Sequence, residues 1–291
     1  MKKTFLLAAL LGTSAISLGG LSTDAVARPM TETDLVMMKR LSAVAASPDG
    51  MMLAYQLRET DLEANKGKTD LYMLKLGATG AQPAMFASRP DKNEHDPAFA
   101  PDGKSIFYIS NESGSDQIWR YDIASATATQ ASNFKTDVSG FKISPDGLKF
   151  AIWGDIARDC MEFGCAKDGD TSKPGPGTGR EYDQLMTRHW DQWETPGNYS
   201  RIFTVVLRAD GKLGTLSTAM DGDLVGDAPS KPFGGGDEIS WSADSSAVLF
   251  ALRHADANEA KSTNLDIYRS ALQNPTPVNL SADNAGMDTT P

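Results

Sequence analysis

A chain of 291 residues, 40% hydrophobic and 23% charged with 26 Gly and 15 Pro, has the make-up of a globular protein and excludes collagen, coiled-coil and low-complexity architectures. Its formal charge of −10 at pH 7 argues against a nucleic-acid binder, which needs Lys and Arg clusters against phosphate, and against docking on an anionic membrane. At about 100–200 residues per domain, the length allows two small domains or one large all-β unit.

The chain opens on Lys2 and Lys3, an apolar stretch from Phe5 to Leu11 that fades through Ile16 and Leu18, and Ala25-Val26-Ala27. Positive n-region, apolar h-region and small-x-small site are the layout of a signal peptide over residues 1–27, cleaved after Ala27. A transmembrane span would want about 20 apolar residues; an uncleaved anchor is the alternative. The expected product is exported and soluble, most simply periplasmic, with no stable membrane insertion. Residues 28–40 form a lead-in, with a short helix capped by Thr31 and Asp34 three residues on.

From there the chain repeats itself. Ala45-Ala46-Ser47-Pro48-Asp49-Gly50, Ala98-Phe99-Ala100-Pro101-Asp102-Gly103, Lys142-Ile143-Ser144-Pro145-Asp146-Gly147 and Ser240-Trp241-Ser242-Ala243-Asp244-Ser245 share one plan. Pro presets φ, Asp suits the third turn position and Gly accepts positive φ after it, so two strands meet there as a hairpin. Apolar strands follow at Met52–Leu57, Ser105–Ile109, Lys149–Trp153 and Ala247–Leu252. Third strands carry the pairs Leu71-Tyr72, Ile118-Trp119, Ile202-Phe203 and Ile267-Tyr268, and weaker fourth strands run through Ala126–Ser132 and Thr276–Ser281.

Four strands per unit describe propeller blades. The expected fold is all-β: an incomplete β-propeller of four four-stranded blades plus the start of a fifth, with a long insertion in blade 3. The boundaries read 41–90, 91–135, 136–230 with the insertion, 231–284, and 285–291, where Pro291 stands as Pro97 does in blade 2. Four blades and a stub leave a face uncovered, so the chain is expected to be an N-terminal fragment and to aggregate readily by itself.

The insertion shows no hairpin signal. It holds Cys160 and Cys165, expected to pair as a disulfide in an oxidising compartment; zinc would need two more ligands, and none of the three His is near. It also holds the Pro- and Gly-rich loop Lys173–Gly179, and long loops of this kind are usually functional. Its end, Tyr182 to Trp193, contains Arg188, His189 and Asp191, groups suited to grip peptide termini, with Glu194 a further candidate for an amine contact. The alternative is structural: Arg188 paired with Asp191, and Trp190 and Trp193 packing the insertion on the blades. His95 reads as a blade-to-blade hydrogen-bonding residue, and His254 as near a loop end. The turn aspartates 49, 102, 146 and 244 read as turn formers, not calcium ligands, and no cofactor or metal is expected.

The repeats resemble the TolB-type propeller. The helical lead-in and the Arg-His-Trp-Asp segment narrow this: residues 30–291 look like the propeller of exported prolyl oligopeptidase family serine peptidases, in the dipeptidyl aminopeptidase and acylaminoacyl peptidase branch. The resemblance implies a following α/β-hydrolase domain with a Ser, Asp, His triad that cuts short peptides, and a propeller that gates access. No serine here has the Gly-x-Ser-x-Gly setting of a nucleophile elbow, so no catalytic residue is expected in the chain. A non-enzymatic TolB-like binding or scaffolding protein of the envelope is the alternative, and a peptidase relative with a degenerate triad a third.

Overall fold

The computed structural model describes residues 28–77, 79–165, 181–182 and 185–291. The expected signal peptide and the Lys173–Gly179 loop lie outside the described residues. Helix α1 spans Glu32–Met37. Its N-terminus is closed as the sequence suggests: the Thr31 amide donates to Asp34 Oδ2 at 2.8 Å and the Asp34 amide to Thr31 Oγ1 at 3.2 Å, satisfying amides that have no partner within the helix.

Four antiparallel meanders follow. The first sheet is β1 (Arg40–Ala46), β2 (Met52–Asp61), β3 (Lys66–Lys75) and β4 (Ala84–Ala87), and the second β5 (Glu94–Phe99), β6 (Ser105–Ser110), β7 (Gln117–Asp122) and β8 (Thr127–Gln130). The third is built on β9 (Gly140–Ile143) and β10 (Lys149–Ala157). A two-stranded hairpin, β11 (Arg188–His189) and β12 (Gln192–Trp193), intervenes before β13 (Asn198–Leu207) and β14 (Leu213–Ala219) complete the order β9-β10-β13-β14. The fourth comprises β15 (Gly226–Asp227), β16 (Ile239–Trp241), β17 (Ala247–His254), β18 (Asp266–Ala271) and β19 (Asn274–Asn279), with β15 and β16 both paired to β17.

The turns work as their residues dictate. Ser47, Ser144 and Ser242 each donate a hydroxyl to the Asp two residues on, at 2.6, 2.5 and 2.6 Å. Each of those oxygens also accepts from the start of the next strand, at Met52, Lys149 and Ala247. Gly50, Gly103 and Gly147 have φ of +69°, +70° and +71°, and Ser245 takes the same place at +58°. One oxygen of each of the carboxylates Asp49, Asp146 and Asp244 is held in these local bonds.

Alternation along the strands fixes the core. Ile106 and Tyr108 join Ala54 and Leu71 of the first sheet, while Phe107 and Ile109 join Phe141, Phe150 and Ile152 of the third. Ala151 and Trp153 turn the other way to meet Val248, Phe250 and Leu252 of the fourth. Side chains on successive residues face opposite sides of a sheet, so a strand buried on both faces reads as an unbroken apolar run. All six residues of β6 are buried for this reason.

A side chain at the entry to each new sheet latches it to the third strand of the previous one. Asn93 Oδ1 accepts from the Thr69 amide at 3.0 Å, Asp137 Oδ1 from Asp116 at 2.9 Å, and Asp227 Oδ1 from Ser200 at 2.7 Å. Val138 and Ala228 return a backbone bond to Asp116 and Ser200. Asp288 makes the same backbone bond to Leu265, and Thr290, before Pro291, shares its left-handed backbone with Asp96, at +55° and +51°.

Three expectations are corrected. The insertion does contain a hairpin, β11–β12, carried on the far end of β10 and β13, which stay paired from Lys149↔Val206 to Ala157↔Asn198. Its tryptophans are not buried against the blades: Trp190 and Trp193 are 76% and 55% exposed, Trp193 stacking on Tyr182 within the insertion and Trp190 meeting the exposed ring of Phe233. His95 Nδ1 lies 2.9 Å from the carboxylate of its own neighbour Asp96; the bond between sheets is made by the Asp96 amide to Gln56.

Candidate functional site

Strand alternation splits the Arg188–Asp191 segment. His189 turns inward and is 5% exposed. Arg188 stays outside with its guanidinium 5.5 Å above the Trp193 ring, and Asp191 is exposed in the turn, without an ion pair to any described residue. The hairpin is held at its base, where the Glu194 amide donates to the Thr187 carbonyl at 3.0 Å and Tyr182 Oη to the Glu194 carbonyl at 2.9 Å. That ladder directs the Glu194 side chain to the same side as His189, whose Nε2 is 3.5 Å from Glu194 Oε1. Of the four expected contact residues, the fold thus unites His189 with Glu194 and parts them from Arg188 and Asp191.

Three further charged groups converge there from the fourth sheet. Glu259, in a 3-10 turn after β17, brings Oε1 to 3.6 Å from His189 Nε2. Asp227 enters through its latch to Ser200. Lys231 Nζ lies 2.9 Å from Asp155, and 3.3 Å from each of Glu194 and Asp227. Arg253 stands behind, donating to the Glu259 carbonyl at 3.0 Å with its Nε 3.9 Å from that carboxylate. No motif marked these residues; repetition of the Asn93 and Asp137 latch was the only sequence-level sign of Asp227.

Burial in this cluster raises Glu259 to about 7, with the Asp227 charge adding to the effect. Burial likewise lifts Asp227 to about 6, against the pull of Lys231 and the Ser200 amide. His189 is lowered by burial, despite Glu194, and is neutral at pH 7. Burial pulls Lys231 down, but Asp227, Asp155 and Glu194 outweigh it and hold the lysine above its usual value. Buried carboxylates with raised pKa values are poised to take a proton or a cation.

A small cavity of about 40 Å³ opens on this cluster, lined by Tyr182, Met186, His189, Glu194, Asn198, Tyr199, Asp227 and Glu259 among others. Three carboxylates line it and neither Lys231 nor Arg253 does. Ligand atoms of His189, Asp227 and Glu259 lie within 4.8 Å of one another, close enough for a metal ion. With Asp227 Oδ1 already bonded to Ser200 and Lys231 alongside, the arrangement suits a singly charged hydrogen-bond donor better than a divalent ion, which the lysine repels twice as strongly.

No protein-family model matches the chain. It is 30% identical over 263 residues to dipeptidyl-peptidase 5 of Porphyromonas gingivalis and 26% identical over 270 residues to dipeptidyl-peptidase 5 of Porphyromonas endodontalis. Each match takes in 90% of this chain, which spans 37% and 36% of the length of those relatives. A solved acylaminoacyl peptidase superposes over 86% of this chain and 33% of its own, with a TM-score of 0.57 and 16% identity. By sequence and by fold, the chain fits the propeller part of a prolyl oligopeptidase family peptidase.

Proposed function

We propose that this chain is the substrate-gating propeller portion of an exported serine peptidase acting on short peptides, and that the cavity beside His189 receives the peptide's N-terminal ammonium. One observation carries the second part: among the described residues, Glu194, Asp227 and Glu259 line the cavity and no Lys or Arg does. An ammonium offers three donors and one charge, and charge-assisted bonds to carboxylates are the strong ones. A peptidase that releases dipeptides, as the names of the relatives imply, must measure from a free amine, and a fixed anion supplies the reference point.

Bond cleavage itself falls to an α/β-hydrolase domain outside these residues. This rests on the relatives' greater length and on the missing Gly-x-Ser-x-Gly setting within the 291 residues. Residues 28–291 should therefore hydrolyse no dipeptidyl substrate and take no fluorophosphonate label; stoichiometric labelling would refute that half. Calorimetry with alanyl-alanine amide should show binding that N-acetylation abolishes and that Glu194→Gln weakens about tenfold or more, the scale of one charge-assisted bond. Equal binding of the acetylated probe refutes the ammonium reading.

A further inference from the structure

Glu259 enters the cavity from a turn that does little by itself to fix a side chain. The turn is closed by backbone bonds from Glu259 to Asp256 and from Lys261 to Asn258, at 3.1 and 2.8 Å, and has no side-chain cap; hydrogen bonds of 3-10 geometry are the poorer kind. The guanidinium of Arg253, near the end of β17, braces it from behind. Its Nη2 donates to the carbonyls of Glu259 and Ser262 at 3.0 and 3.4 Å, and its Nη1 to that of Lys231 at 3.5 Å. The remaining donor, Nε, is buried without a hydrogen bond and faces Glu259 Oε1 at 3.9 Å. An unpaired buried donor is costly, so the carboxylate is drawn toward it.

The strand supplies a second, independent observation. Arg253 is the cross-strand partner of Asp227, and β15 lies so close that a Cβ at Gly226 would fall 2.0 Å from the Arg253 carbonyl oxygen. Asp227 is thus placed by the backbone of Arg253 and Glu259 by its side chain. Arg253 does not itself line the cavity. A cation behind the wall attracts the carboxylate without occupying the place of a bound amine.

We infer that Arg253 is the positioning residue of the amine site and acts through Glu259: it sets where that carboxylate stands beside His189 and Asp227, and so how tightly a primary ammonium is held. The inference rests on the ammonium reading of the cavity. A guanidinium is needed for this, because its planar fork holds the turn carbonyls through one nitrogen while presenting another to the carboxylate, which a lysine ammonium cannot do. The charge matters separately. Burial, Asp227, Glu194 and Asp256 raise Glu259, and Arg253 opposes them; His189, neutral at pH 7, and Lys231, engaged with Asp155, Glu194 and Asp227, complete the charged surroundings.

The test is calorimetry on the whole chain with alanyl-alanine amide between pH 5.5 and 8, for the unsubstituted protein, Arg253→Lys, Arg253→Gln, Glu259→Gln and the double variant Arg253→Lys with Glu259→Gln. Arg253→Lys keeps the charge and loses the fork, so it should weaken binding about fivefold or more at pH 7.5 while leaving the midpoint of the acid limb within about 0.3 pH units. Arg253→Gln loses both and should weaken binding about tenfold or more, with that midpoint moved up by about half a unit or more, because the cation opposing protonation of Glu259 is gone. Once Glu259 is glutamine, adding Arg253→Lys should change the affinity by less than about twofold, since residues that act through one another are not additive. A purely structural role would instead lower affinity at every pH alike and add in full to Glu259→Gln. Additive losses, or an acid limb that Arg253→Gln leaves unmoved, therefore overturn the inference and leave the ammonium reading standing. Should Arg253→Gln fail to fold, the cycle built on Arg253→Lys still decides it. Absence of binding to the unsubstituted chain overturns both.

Discussion

Asp227 illustrates how one residue can serve architecture and site together. Its Oδ1 repeats the latch of Asn93 and Asp137, and an asparagine performs the same task one sheet earlier. Asp227→Asn should therefore keep the bond to Ser200, whereas Asp227→Ala leaves a buried amide unpaired and should cost about 1–3 kcal/mol in urea unfolding. The pH dependence separates the two roles. Because the native carboxyl sits at about 6 and the unfolded one near 3.9, the native state holds more protons between those values. Stability attributable to this group falls as pH rises from about 4 to about 6. In Asp227→Asn that decline should disappear, so the variant gains on the unsubstituted chain as pH goes from 4 to 7; an unchanged difference across that range would contradict the assignment.

The turns show what an element owes to its sequence. Blade 2 carries Ala100 where the other three have serine, so its turn has only the Lys104 amide on Asp102, at 3.0 Å, and lacks the hydroxyl bridge of Ser47, Ser144 and Ser242. Ala100→Ser should stabilise the chain by about 0.5–1 kcal/mol, the net worth of a typical hydrogen bond, read as a higher urea midpoint at constant slope. These hairpins were legible because Pro, Asp and Gly act within four residues, and the apolar runs because both sheet faces are buried. The β11–β12 hairpin was not: two residues per strand show no period, and its turn uses Trp190 in place of a turn former. Two of the five groups in the candidate site were legible for a similar reason. His189 and Glu194 are five residues apart, while Asp227, Lys231 and Glu259 reach them only through the packing of the fourth sheet on the third. Arg188 and Asp191 looked equivalent to His189 in sequence, but strand alternation turns Arg188 to the other face and Asp191 sits exposed in the turn.

At the scale of the whole molecule, the cavity joins elements of the third and fourth sheets, which are also held by their shared apolar core and by the latch of Asp227 and Ala228 on Ser200. Its walls come from the insertion of the third sheet, the entry strand of the fourth and the turn after β17. A ligand held there ties two sheets together and should stabilise the folded chain by mass action, about 2.7 kcal/mol at a hundredfold excess over Kd. For a domain of this size that corresponds to a melting shift of roughly 5–10 °C. The sign with pH follows from the carboxyls. As pH falls below about 7, Glu259 takes up a proton, and Asp227 follows near 6. The cavity loses negative charge while the probe's ammonium stays charged. Above about 8 the amine itself deprotonates. The shift given by alanyl-alanine amide should therefore peak between about pH 7 and 8 and shrink on both sides, with Glu259→Gln flattening the acid limb. Thermal melts at pH 5.5, 7.5 and 9 decide it. Equal shifts at all three values, or the same profile with the N-acetylated probe, would mean that the carboxylates do not hold the amine.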